Sequence, residues 1–261
     1  TEKNQEKSEN CYRAAFLGFL NLEKKSKDDT LWYRIGCMYL HGIGTEADET
    51  KAEHYLTKAS DYGNAHASYQ LARLYIRQES QKLSGESGTA PDYAKIAKAV
   101  KWLEESAAQE NLFADYALGR LYREGTLVVA DMEKAVFHLK RAADAGNSYA
   151  QYQLGKIYLE EDTRNIPAAI QYLTLAAKQK NEFAAYRLGK LYLAGEELPK
   201  NTELALHYLK MAADTGNQYA QYALGKVYLI GKDARQDKER AYDYFLKSAE
   251  QGNIYAAYFL E

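Results

Sequence analysis

Small and apolar residues recur along this chain at the spacing of one helix face, and the pattern itself then repeats. With Asn64, Asn111, Asn147, Asn181, Asn217 and Asn253 as markers, successive gaps are 47, 36, 34, 36 and 36 residues. Three residues after each marker stands Ala (Ala67, Ala114, Ala150, Ala184, Ala220, Ala256), and seven after it stands Leu. Gly or Ala follows at eight (Ala72, Gly119, Gly155, Gly189, Gly225) and Tyr at eleven (Tyr75, Tyr122, Tyr158, Tyr192, Tyr228). These positions share one face of a 3.6-residue period, which predicts a helix after every marker. The small residues at three and eight suit a close approach of two helices.

A second helix is predicted ahead of each marker. Ala stands twelve residues before it (Ala52, Ala99, Ala135, Ala169, Ala205, Ala241), and Leu56, Leu103, Leu139, Leu173, Leu209 or Phe245 stands eight before. Sixteen before come Asp48, Asp131, Asn165, Asn201 and Asp237, whose side-chain oxygens can accept from free first-turn N–H groups. The remaining repeat has Lys95 there, so its second helix is expected to start near Asp92. The marker Asn caps the first helix in the same way, and Gly before it suits a left-handed helix end.

The long gap contains an insertion from Glu79 to Pro91, rich in Ser, Gly and Gln, which predicts a surface loop. Toward the N-terminus, Ile35 to Tyr39 reads as one more first helix and Tyr12 to Leu22 as an unpaired second helix. The chain stops inside a first helix at Tyr258 to Glu261. The expectation is an all-α protein: an α/α solenoid superhelix of about six antiparallel helix pairs, one domain over 1–261 with a degenerate N-terminal helix within 1–29. Because it opens on Thr and ends mid-repeat, the chain is expected to be a piece of a longer protein.

The units resemble the Sel-one-like repeat, a relative of the tetratricopeptide repeat. The matching residues are Ala-x-Tyr-x-Leu-Gly-x-x-Tyr-x-x-Gly, as in Ala184 to Gly195, followed by Ala-x-x-Tyr-Leu-x-x-Ala-Ala-x-x-Gly-Asn, as in Ala205 to Asn217. The resemblance implies antiparallel pairs stacked into a right-handed superhelix whose inner surface is lined by first helices. It also implies a bacterial adaptor that holds other proteins together. The Tyr-rich version is similar to repeats appended to conjugative relaxases of Gram-positive mobile elements, so an accessory arm of a DNA-mobilisation protein is the alternative. A secreted branch of the family carries paired cysteines, and some of its members are linked to β-lactam binding, which makes a β-lactamase-like hydrolase the less favoured alternative. This chain has only Cys11 and Cys37, staggered by on the order of 12 Å across the expected hairpin, too far for a disulfide.

Charge changes the picture little. The net charge is −2, from 34 basic and 36 acidic residues, so no overall basic field recruits nucleic acid. No apolar run is long enough to span a bilayer, and no signal peptide is visible. A cytoplasmic location is the favoured expectation, with no membrane insertion. Candidate chemistry is thin. None of the five histidines stands in an i, i+4 zinc pair, and His54 and His207 share a repeat position with Lys101 and Gln171, as solvent-facing residues do. Gly155-Lys156, Gly189-Lys190 and Gly225-Lys226 lack the rest of a phosphate loop, and Gly85 to Gly88 lacks the strand and final glycine of a nucleophile elbow. No Ser-x-x-Lys occurs. The reading is non-enzymatic, with no catalytic residue, metal or cofactor.

A second stripe on the first helices carries the functional signal. Nine residues after the marker stands a base: Arg73, Arg120, Lys156, Lys190 and Lys226. An aromatic ring or His stands at two (His66, Phe113, Tyr149, Phe183, Tyr219, Tyr255) and Tyr at five (Tyr69, Tyr116, Tyr152, Tyr186, Tyr222, Tyr258). Position twelve is mostly aliphatic (Ile76, Leu159, Leu193, Leu229). At about 100° per residue these positions fall within about 80° of each other, opposite the Ala-Leu face. They are the candidate lining of a concave groove for a protein or peptide segment, with the bases set to meet acidic groups. Two readings stay open: the tyrosines equally fit packing between successive first helices, and the bases a solvated row.

Overall fold

A computed structural model describes residues 2–85 and 89–260. Thr1, Glu261 and the 86–88 part of the expected loop and of the Gly85 to Gly88 motif lie outside the described residues. Among the described residues the regular structure is entirely helical. The helices are α1 (Glu2–Glu23), α2 (Asp29–His41), α3 (Glu49–Asp61), α4 (Ala65–Ser84), α5 (Tyr93–Ala108), α6 (Leu112–Glu124) and α7 (Met132–Asp144). They continue with α8 (Ser148–Ile157), α9 (Ile166–Lys178), α10 (Glu182–Ala194), α11 (Thr202–Asp214), α12 (Gln218–Ile230), α13 (Lys238–Glu250) and α14 (Ile254–Ala257). Six first–second pairs run from α2 and α3 to α12 and α13, with α1 and α14 at the ends.

The marker asparagine ends one helix and starts the next. Its backbone N–H returns to the second helix, as in Asn147 to Ala142 O at 2.9 Å and Asn217 to Ala212 O at 3.0 Å. Its side chain accepts from the first turn that follows, as from Ala220 N at 2.8 Å and Ala67 N at 2.9 Å. The residue before it is left-handed at Gly63, Gly146, Gly216 and Gly252, and also at Glu110 (φ 61°) and Lys180 (φ 62°), where a side chain is carried through a conformation that favours glycine. The expected second-helix caps hold too: Asp48, Asp131, Asn165, Asn201 and Asp237 each accept from a backbone N–H three residues on. In α5 that cap is Asp92.

The first-helix Ala and Leu face is buried against the second-helix Ala and Leu, and Leu118, Leu154, Leu188, Leu173 and Leu209 are fully buried. Burying each such side chain contributes about 1.5–3 kcal/mol, so the face sets the packing. Gly155, Gly189 and Gly225 stay inside their helices. A Cβ on Gly189 would lie 2.7 Å from Leu209 Cγ, and one on Gly225 would lie 2.6 Å from the Phe245 ring. The glycine is there for contact.

One expectation needs correction. The insertion does not begin as a loop at Glu79: α4 runs on to Ser84, so residues 79–84 are helical. The reason is Glu79 itself, fully buried, which accepts from Lys82 Nζ at 2.8 Å and from the backbone N–H of Asp92 at 2.7 Å. That pairing ties the helix to the start of α5. By compactness the chain divides into two units, Thr1–His138 and Leu139–Glu261, with the division inside α7. A stack in which each repeat touches only its neighbours has few contacts that bind it into one body. The gap of 34 residues has its own effect: α8 ends at Ile157, leaving Tyr158 as its C-cap before a single 3₁₀ turn at Glu161–Thr163. Cys11 is exposed, Cys37 is partly buried, and both thiols are free.

Candidate functional site

Each first helix presents its position-two ring, position-five tyrosine and position-nine base on the face away from the second helix. The position-two rings stand half out or more: exposure runs from 44% at Phe183 to 67% at Tyr255, with Phe113, Tyr149 and Tyr219 between. The tyrosines Tyr69, Tyr116, Tyr152, Tyr186 and Tyr222 are half-buried. The cause is a ring ladder, in which the tyrosine of one repeat meets the position-two ring of the next.

In the first unit, Tyr33 meets His66 at 5.9 Å between centroids and Tyr69 meets Phe113 at 6.2 Å. Arg73 lies over the Tyr69 ring at 5.6 Å. Burial raises the Tyr69 phenol pKa and the neighbouring Arg73 opposes that rise. Phe113, Tyr116 and Arg120 join them around an open trough of 760 Å³, with Arg77 as a further base that the sequence pattern did not single out. The guanidiniums are engaged at home: Arg120 reaches Glu124 at 2.6 Å and Arg77 reaches Glu49 at 2.6 Å.

In the second unit the ladder is longer. Tyr152 meets Phe183 at 5.9 Å, Tyr186 meets Tyr219 at 6.1 Å, and Tyr222 meets Tyr255 at 6.4 Å. Lys156 lies over Tyr152 at 5.6 Å and Lys226 over Tyr222 at 5.7 Å. Among the described residues, Lys190 and Lys226 are in no ion pair. Between α10 and α12 a slot of 240 Å³ opens, lined by Tyr186, Leu193, Tyr222 and Ile230 and flanked by Lys190 and Lys226. Tyr149 and Lys156 lie a repeat earlier and do not line it. Burial raises the Tyr186 phenol, which therefore stays protonated and able to donate.

The ladder shows what the tyrosines do first: they join consecutive first helices, and their outer edges remain open. A second ladder escaped the sequence reading. The tyrosine eleven after a marker meets the ring nine before the next: Tyr192 stacks on Tyr208 at 6.0 Å and 7°, Tyr228 on Tyr244 at 6.0 Å and 2°, and Tyr122 on His138 at 6.1 Å and 12°, while Tyr75 meets Trp102 edge-on at 5.2 Å. The signal was present, since Tyr55, Trp102, His138, Tyr172, Tyr208 and Tyr244 occupy that position without exception. At Tyr75 burial and the Glu53 carboxylate that accepts from its hydroxyl push the phenol up to about 12. His138 also pairs through Nδ1 with the buried Asp115 at 2.9 Å. Among the described residues there is no cluster of three potential metal ligands, and no helix is long and apolar enough to cross a membrane.

Comparison with known proteins agrees with this geometry. The profile described as the Sel1 repeat matches residues 33–64, 65–111, 112–147, 148–181, 183–217 and 218–253, and each of the six segments ends on a marker asparagine. Among solved structures, a protective antigen of uropathogenic Escherichia coli strains displaying an SLR fold is 25% identical, with a TM-score of 0.78, over 95% of this chain and 51% of that one. A Sel1 repeat protein from Oxalobacter formigenes is 27% identical, with a TM-score of 0.73, over 89% of this chain and 65% of that one. The chain thus spans about half the length of the first and under two thirds of the second. The fold is an all-α helical-repeat solenoid.

Proposed function

We propose, from the premise that this chain belongs to the Sel1 repeat family, that it is a non-enzymatic scaffold whose first-helix face holds a carboxylate-bearing segment of another protein. Sel1 repeat proteins typically act as protein-interaction scaffolds. The single observation that carries the finer reading is the ladder of half-exposed rings flanked by one base per repeat. Rigid aromatic edges supply contact area at low entropic cost, and a neighbouring cation supplies a charge-assisted hydrogen bond. Lys156 and Lys226 lie over tyrosine faces, which holds each ammonium beside the rings that a partner would touch.

The test is a random-peptide display selection on the immobilised chain, repeated on a variant carrying Lys156→Glu, Lys190→Glu and Lys226→Glu. Acidic sequences should be enriched by the chain and lost on the variant. Retention of the same sequences by the variant would sink the reading.

A further inference from the structure

The slot between α10 and α12 is smaller than the trough of the first unit, 240 against 760 Å³, and is bounded by two lysines that, among the described residues, are in no ion pair. Its floor is Tyr186, Leu193, Tyr222, Val227 and Ile230, and Lys190 and Lys226 stand on its two sides. At one mouth are Lys232 and Asp233, and Asp233 is already neutralised by Lys200 at 2.5 Å. The surplus at the rim is therefore positive, set around an apolar floor. At 240 Å³ the opening receives one large side chain, not a row of them.

Those dimensions restrict what fits. A helical partner binds through several apolar anchors at i, i+3 or i+4, and i+7, which needs a groove several side chains long. Here the Tyr186–Tyr219 ring contact and the Lys232–Asp233 turn flank a single opening. An extended chain rises about 3.3 Å per residue and returns to the same face every second residue. With one apolar side chain in the slot, residues two before and two after it face the same surface, each about 7 Å away. Neighbouring first helices lie about 10 Å apart, and the long lysine stems can splay to meet groups on either side.

Resting on the scaffold reading above, we propose that this slot recognises an extended segment with an apolar residue at its centre and carboxylates two positions to either side. The apolar side chain enters between Tyr186 and Tyr222. Lys190 takes one carboxylate and Lys226 the other. Specificity thus lies in the alternation of charge and apolar residue, not in net acidity.

The experiment is fluorescence anisotropy of the whole chain with three labelled peptides of identical composition. All three are nine residues long, with two Glu and one Leu among serines: the first has Glu-Ser-Leu-Ser-Glu at its centre, the second places both Glu together ahead of Leu, and the third sets Glu, Leu and Glu four residues apart, at helical spacing. The alternating peptide should bind about tenfold more tightly than either other, and Lys190→Glu should remove that advantage. Ala223→Phe, which fills the slot from its lining, should reduce all three to one weak affinity while circular dichroism stays unchanged. Equal affinities that all still depend on Lys190 would overturn the register and leave the scaffold reading standing. A preference for the helically spaced peptide would overturn it in favour of a helical partner. Failure of every peptide to bind would overturn both readings.

Discussion

The two units fill the same repeat positions with different chemistry. Four residues after the marker, the first unit buries Asp115, paired with His138 at 2.9 Å. The second unit buries Gln151 and Gln221 there. Gln151 donates to Ala143 O at 3.0 Å and accepts from Gln179 at 2.9 Å. Gln221 does the same with Ala213 O at 3.3 Å and Gln251 at 2.8 Å. Nine after the marker, the first unit has arginine, and Arg120 closes on its own Glu124; the second has lysine, and among the described residues Lys190 and Lys226 are in no ion pair. One backbone plan therefore carries different chemistry at the same repeat positions.

The largest effect should come from the close helix approach. Gly189→Ala places a Cβ 2.7 Å from Leu209 Cγ and 3.1 Å from its backbone N, and should cost about 1–3 kcal/mol in a urea titration. At the same repeat position the first unit keeps Gly119 in α6 but carries Ala72, already buried, in α4, and Ala72→Gly should cost only about 1 kcal/mol, the helix-propensity difference. A neutral Gly189→Ala would mean that α10 and α11 have room for the extra methyl.

The buried polar position tests the chemical difference directly. Asp115→Ala strands the His138 nitrogen and should lower stability by about 1–3 kcal/mol, and Gln221→Ala, which removes neutral bonds, by nearer 1 kcal/mol. Thermal melts of both variants decide it, and a reversed order would break the comparison. For binding, Lys190→Glu should weaken an acidic peptide about tenfold and Arg120→Glu less than about threefold, because Arg120 is held by Glu124. Anisotropy with one peptide and both variants reads the difference.

Acid should act on the first unit through Glu79. Its carboxyl is held below the ordinary glutamate range by the Lys82 hydrogen bond first and the Asp92 N–H second. A depressed carboxyl stabilises the folded form above the unfolded value and loses that contribution as pH falls through the lowered one. Protection of the Asp92 amide proton, its exchange rate relative to the free-peptide rate at the same pH, should therefore persist below the ordinary glutamate range and fall as pH is lowered further. Protection that does not fall with acid would dissociate the bond from the ionised carboxylate. The smallest effect serves as a control on the shared backbone. Glu110→Gly in the first unit and Lys180→Gly in the second relieve a left-handed side chain at φ near 60°, and each should gain about 0.5–1 kcal/mol in urea. Unequal gains would show that the connections differ.

Periodicity alone determined much of this protein: the helical face at three, seven, eight and eleven, the asparagine caps, the left-handed residue before them, and the pairing of small residues with Leu or Phe. Those are local or nearest-neighbour constraints, written within about one repeat length and restated six times. The stripe at two, five and nine was legible as a stripe, but not that its tyrosines would join successive helices through the next position-two ring, because that contact lies between repeats. Only the tertiary structure decided that Glu79 extends α4 into the insertion, that Asp115 and His138 meet, that the array forms two units, and that the second unit holds a small slot flanked by two lysines. Each depends on which side chains converge from elements 13 to 36 residues apart, a distance at which sequence spacing sets the face of a helix and not the neighbour it meets.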